Sequence, residues 1–152
     1  MRSGPFSRAH SSGTILLVDD NKDGVIARRS LLEELGYQVV SACCGQDALQ
    51  NIEQQKFDLV ITDFKMSPIN GLELIASLRE RDFKSPIILL TGFAESLGLR
   101  PDETGADVVI QKSSNEVATL LRHTRRLLPP PAKRPARSED SPNNDPRRRN
   151  TG

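Results

Sequence analysis

The 152-residue chain predicts an α/β fold, a doubly wound parallel sheet of five strands, and three observations carry that prediction. Short apolar runs alternate five times with segments of helical period, the pattern of repeated βα units. The runs are nearly continuously apolar, as strands covered on both faces must be. Four of the five end in a residue suited to phosphate or a divalent cation, as expected where strand carboxyl ends line a ligand site.

The first strand is expected at about Thr14–Val18 and the first helix at about Asp23–Leu35. In that helix Ala27, Leu31 and Leu35 lie at i, i+4 and i+8, with Leu32 widening the apolar stripe. Gly36 follows where a left-handed C-cap would sit. Tyr37–Ala42 reads as the second strand, and the next helix carries Ala48, Leu49 and Ile52 on one face. The third strand is about Asp58–Thr62; a loop with Pro68, Asn70 and Gly71 leads to a helix bearing Leu74, Ile75 and Leu78. The fourth strand follows Pro86. In Ala94–Ala106, Gly98 and Pro101 oppose a long regular helix, so a short or kinked one is expected. The fifth strand is about Asp107–Gln111. The last helix has an expected capping box, Ser113 with Glu116, and a stripe of Val117, Leu120, Leu121 and Leu127.

Composition sets the boundaries. Residues 1–13 carry Arg2 and Arg8 with little apolar content and read as a disordered lead-in. Residues 129–152 open with Pro129-Pro130-Pro131, carry six bases and three acids, and read as a disordered Pro/Arg-rich tail. The domain between them, 14–128, holds 17 acids against 13 bases and is acidic although the whole chain is +1. Mean hydropathy of −0.44, with no apolar run of membrane-spanning length and no signal-peptide core, predicts a cytoplasmic protein. Cys43 and Cys44 are adjacent, which suits neither a structural disulfide nor a CxxC metal site. They read as small reduced residues at a strand end. His10 and His123 read as solvated residues.

The chemistry sits at the strand ends. The first strand runs into Asp19-Asp20, the third into Asp63, the fourth into Thr91 and the fifth into Lys112. Singly, each is an ordinary turn or surface residue. Together they place three carboxylates, a hydroxyl and an ammonium on one rim, an oxygen-rich site suited to Mg²⁺. Asp20 is the expected direct ligand and Asp19 one acting through water. A carboxylate so placed can act as a nucleophile and carry a phosphoryl group, with the hydroxyl and the lysine meeting the incoming charge.

At these residues the chain resembles the receiver domain of bacterial two-component response regulators, of the stand-alone type. The matching elements are Leu-Val-Asp19-Asp20, Val-Ile-Thr-Asp63-Phe-Lys-Met66-Ser-Pro-Ile-Asn-Gly71, Leu-Thr91-Gly, and Gly105-Ala106-Asp107 leading to Lys112, across about Thr14–Leu128. The resemblance implies a flavodoxin-like (β/α)5 fold with strand order 2-1-3-4-5. It implies that Asp63 accepts a phosphoryl group from a histidine kinase or phosphotransfer protein. It also implies that Asp19, Asp20, Asp63 and the backbone carbonyl of Lys65 hold Mg²⁺, that Thr91 hydrogen-bonds the phosphoryl oxygen, and that Lys112 pairs with it. The expected outcome is a switched protein–protein interaction or a relayed phosphate, not turnover of a substrate.

Three positions depart from the family pattern. Ser113 stands where a proline usually follows the lysine, Val109 where an aromatic switch residue is usual, and Ser67 where a proline commonly follows the methionine. The site is expected to be intact and the output route altered. Lys65, two residues after Asp63, has two readings: a side chain that reaches over the phosphorylated carboxylate and changes the access of water, or a lysine that points into solvent. Two other functions compete. The tail bases suit a nucleic-acid-associated regulator, although the tail has no aromatics for stacking and contains acids. An Mg²⁺-dependent phosphohydrolase would need a second carboxylate after Asp63, where Phe64-Lys65 stands. GxGxxG and GxxxxGK[ST] are absent, which argues against dinucleotide and nucleoside triphosphate binding.

Overall fold

The computed structural model describes residues 13–92 and 101–129, with the side chains of Pro101 and Asp102 excepted. Five strands form one parallel sheet: β1 (Thr14–Val18), β2 (Gln38–Ala42), β3 (Leu59–Asp63), β4 (Ile87–Thr91) and β5 (Val108–Gln111), in the order β2-β1-β3-β4-β5. The helices are α1 (Lys22–Glu34), α2 (Gly45–Gln54), α3 (Gly71–Glu80), the single turn α4 (Pro101–Thr104) and α5 (Glu116–Leu127). The predicted bounds of the strands and of α1 are met to within a residue, whereas α5 starts two residues later than its expected cap at Ser113 implied. Gly36, with φ +99°, takes the left-handed position after α1. The expected lead-in and tail, and Gly98, lie outside the described residues apart from Gly13 and Pro129.

Side-chain alternation divides the core in two. Ile15, Leu17, Leu59, Ile61, Ile88, Leu90, Val108 and Ile110 point to one face of the sheet, covered by α1 and α5. Leu16, Val18, Val60, Ile87 and Leu89 point to the other, beneath α2 and α3. Right-handed crossovers and the reversal of strand order at β1 and β3 put α1 and α5 side by side. Tyr37 fastens that side: its hydroxyl donates to the carbonyl of Leu128, just past the end of α5.

Two helix faces differ from those expected. On α1, Ala27 is exposed, while Val25, Arg28, Leu32 and Leu35 turn inward. On α5, Val117 is 37% exposed and the buried positions are Glu116, Leu120 and Thr124. In both helices a charged residue takes an inward position, so an apolar count rotates the stripe away from its true direction. The capping box of α5 does not form either. Asn115 is the N-cap without a side-chain cap bond; its N–H donates to Ser113 Oγ at 3.2 Å, and the Glu116 N–H donates to the Ser113 carbonyl at 3.1 Å. The Glu116 carboxylate instead meets Arg28, because a charge-assisted bond outweighs a neutral cap. A capping box does form on α3, where Asn70 and Glu73 bond reciprocally at 2.9 and 2.8 Å.

Candidate functional site

The carboxyl ends of β1, β3, β4 and β5 build the site. Val18 is level with Thr62 in the sheet register, so Asp19 and Asp63 emerge from neighbouring strands at the same height. The Asp19 N–H still bonds the Ala42 carbonyl at 3.1 Å, which holds the first carboxylate as an extension of β1. Asp19 is buried and Asp20 exposed. Asp63 ends β3 opposite Leu90 and is only 5% exposed.

Behind Asp63 the chain turns tightly. The Phe64 N–H donates to the Leu90 carbonyl and the Gly71 N–H to the Phe64 carbonyl, both at 2.8 Å. A Cβ on Gly71 would lie 2.4 Å from the Asp63 carbonyl oxygen, so only glycine allows this closure. The loop that carries exposed Lys65 is thereby anchored at both ends next to Asp63.

One carboxylate oxygen each from Asp19, Asp20 and Asp63 lie within 4.8 Å of one another, the metal-suited acidic group among the described residues. Lys112 Nζ lies 2.5 Å from Asp63 Oδ1. The Lys112 N–H donates to the Thr91 carbonyl at 2.9 Å, which ties the end of β5 to that of β4. Thr91 is buried at the last position of β4, opposite Gln111. Four of the five predicted rim residues thus lie within a few ångströms of one another, and Thr91 closes the same end of the sheet. Val109, at the position where the receiver pattern has an aromatic, is half-buried against the core under α2 and α3.

Electrostatics set Asp63 apart. Burial pushes its carboxyl above the usual carboxylate range, the hydrogen bond and charge of Lys112 oppose this, and the nearby Asp19 charge adds to the rise. All three carboxylates supply hard oxygen donors with one exposed member open to water. That donor set fits a small divalent cation such as Mg²⁺.

A shallow cleft of about 330 Å³ opens beside Asp20, between α1 and the end of β2. Ile26 on its lip is 63% exposed. Cys43 and Cys44 are free thiols here: Cys44 caps α2 by accepting the Asp47 N–H, and Cys43 faces the cleft. His123, expected to be solvated, is half-buried and receives Arg126 Nη2 at 2.9 Å on Nδ1.

The sequence reasoning missed Arg28 and Glu116. Arg28 Nη1 donates to Asp19 Oδ2 at 2.8 Å, and its Nε and Nη2 both reach Glu116 Oε2 at 2.7 Å. The signal that would have found Arg28 is its place in the series Val25, Arg28, Leu32, Leu35, a clean i, i+3, i+7, i+10 stripe.

The fold and rim define a class, the phosphoacceptor α/β signalling domain, and comparison with known proteins agrees. The response regulator receiver domain family matches residues 15–123, and the chain belongs to that family. It is 36% identical over 125 residues to the alkaline phosphatase synthesis transcriptional regulatory protein PhoP of Bacillus subtilis, covering 76% of this chain and 51% of that protein. It is 30% identical over 125 residues to the transcriptional regulatory protein ZraR of Escherichia coli, covering 78% and 28% respectively. Among solved structures, the response regulator TrrA of Thermotoga maritima, in complex with Mg²⁺-BeF, aligns with TM-score 0.68 and 32% identity over 76% of this chain and 98% of that one. The chemotaxis response regulator CheY4 of Vibrio cholerae aligns with TM-score 0.69 and 27% identity over 76% and 98%. The chain spans about half the length of PhoP and less of ZraR.

Proposed function

We propose that this chain is a receiver that takes a phosphoryl group on Asp63 from a histidine kinase or phosphotransfer protein and signals by changing its protein contacts or passing the phosphate on. The observation that carries the reading is the cluster of Asp19, Asp20 and Asp63 within 4.8 Å, with Lys112 Nζ 2.5 Å from the acceptor carboxylate. Residues 14–128 form the signalling domain, with 1–13 and 129–152 as flanking segments. No helix of the described residues is long and apolar enough to cross a membrane, and a cytoplasmic site of action fits a kinase partner.

The mechanism follows from the side chains. A carboxylate oxygen of Asp63 attacks the phosphorus in line, an acyl phosphate bond forms, and the P–N bond to the donor imidazole breaks with its electron pair on nitrogen. Lys112 shifts from the carboxylate to a phosphoryl oxygen and stays within one ion-pair distance. The Thr91 hydroxyl donates to another phosphoryl oxygen. Asp19, Asp20, Asp63 and the Lys65 carbonyl would hold Mg²⁺, which when bound neutralises charge on the transferring group. The only covalent chemistry expected of the chain is gain and hydrolytic loss of its own phosphate.

The test is incubation with Mg²⁺ and acetyl phosphate, followed by intact-mass measurement. Wild type should gain one phosphate, and Asp63→Asn and a sample with excess EDTA should gain none. Phosphorylation that persists in Asp63→Asn would overturn the assignment.

A further inference from the structure

Arg28 and Glu116 are the charged pair of the described core that the phosphoacceptor chemistry does not use, and through Asp19 they are joined to the rim as one Asp19–Arg28–Glu116 group. Its three side chains are 3, 9 and 11% exposed, and they come from the end of β1, from α1 and from the first residue of α5. Both oxygens of Asp19 are engaged: Oδ1 accepts the Asn21 N–H at 3.0 Å and Oδ2 accepts Arg28 Nη1 at 2.8 Å. Nε, Nη1 and Nη2 of Arg28 are all taken up, one edge on each carboxylate. A guanidinium suits this position because its rigid fork holds two carboxylates at once.

We infer that Arg28 is a positioning residue and the link of an output route, by which cation occupancy of the acidic rim is transmitted to the first turn of α5. The inference rests on the Mg²⁺ reading of the rim. Arg28 and a cation draw on the same carboxylate, so positive charge gained beside Asp19 weakens its hold on the guanidinium. In a buried setting that change is poorly screened. Arg28 then leans on Glu116, whose backbone N–H is held by the Ser113 carbonyl, next to Lys112 in the chain. The route therefore ends on α5 and on the loop carrying Lys112. It bypasses position 109, where a valine leaves no ring to move. By linkage the effect is reciprocal: the Glu116 contact sets the affinity of the rim for the cation.

The experiment is an Mg²⁺ titration of the full chain followed by amide NMR shifts, with affinity read from the same curves. In wild type, amides of Asp20 and Phe64 and those of Glu116–Leu120 should move together along one isotherm. Arg28→Met with Glu116→Met replaces the pair by apolar side chains of similar length, and urea unfolding run alongside checks that the variant is folded. There the rim amides should still move, with affinity roughly three- to tenfold tighter because the competing cation is gone, and the α5 response should vanish. Arg28→Lys keeps the charge but cannot span both carboxylates, so the α5 response should shrink, with an affinity between those of wild type and the double variant. Rim shifts without α5 shifts in wild type would overturn the route and leave the cation site standing. An α5 response, or an affinity, unchanged in the double variant would overturn it as well. No rim shift in wild type would remove the cation site and the route with it.

Discussion

The acidic rim and the Arg28–Glu116 pair lie a few side chains apart and share Asp19, yet they are built on opposite principles. The rim gathers polar residues where apolar strands end, at a surface that water and a phosphodonor can reach. The pair puts two charges on helix faces that otherwise bury leucines. At the rim, one exposed carboxylate keeps the site wet, and Lys112 moderates the rise that burial imposes on Asp63. At the pair, no water is needed, because each charge finds its opposite within 2.8 Å. A site that must exchange ligands stays partly open, whereas one that must hold two elements together is closed and satisfied.

Breaking one side of the comparison at a time gives measurable differences. The largest effect on stability is expected from Arg28→Met alone, which leaves the Asp19 and Glu116 carboxylates buried without their cation. Such a loss costs about 3–5 kcal/mol, and urea unfolding should show it as a lower midpoint with an unchanged slope. Arg28→Met with Glu116→Met should recover the part of that loss that comes from Glu116, Asp19 still lacking its cation; equal destabilisation of the single and double variants would show that the pair is not what matters there.

A smaller effect is expected at the rim from Lys65→Ala. The exposed lysine sits in the loop anchored beside Asp63, and its removal should change the lifetime of the phosphorylated protein several-fold without preventing phosphorylation. Decay followed by intact mass checks this, and an identical rate would remove Lys65 from the account.

The smallest effect belongs to His123. Burial, then the charges of Arg126 and Arg122, hold its imidazole below the ordinary value of 6.5. The folded state therefore binds fewer protons than the unfolded chain just below that value, so stability falls as pH drops through the window and is regained as pH rises. His123→Gln should flatten this dependence, which chemical denaturation at several pH values checks. A free His123 titrating in the folded protein at or above 6.5 by NMR would contradict the arrangement.

How much of this was legible in the sequence follows the same division. Asp19, Asp20, Asp63, Thr91 and Lys112 each follow a run of apolar residues, so their place at strand ends could be read directly from the period and length of the runs. Gly36 was legible because a left-handed turn after a helix selects glycine. The faces of α1 and α5 were misread at Ala27 and Val117, and the cap of α5 was misread at Ser113. In each case a nearby charged side chain answers to a partner distant in the chain instead of to its local pattern.

By itself the sequence determined the five βα units, the two-sided burial of the strands and the chemistry of the rim, because those properties are local and periodic. Only the tertiary structure decided that Arg28 and Glu116, 88 residues apart, meet. Their meeting depends on the strand order that sets α1 beside α5 on one face of the sheet. A buried charge is tolerable only when its counter-charge arrives from elsewhere in the fold, and neither residue's neighbours in sequence announce that arrival. The acidic rim could be read before the fold was known, and the side chains that fasten it to the last helix could not.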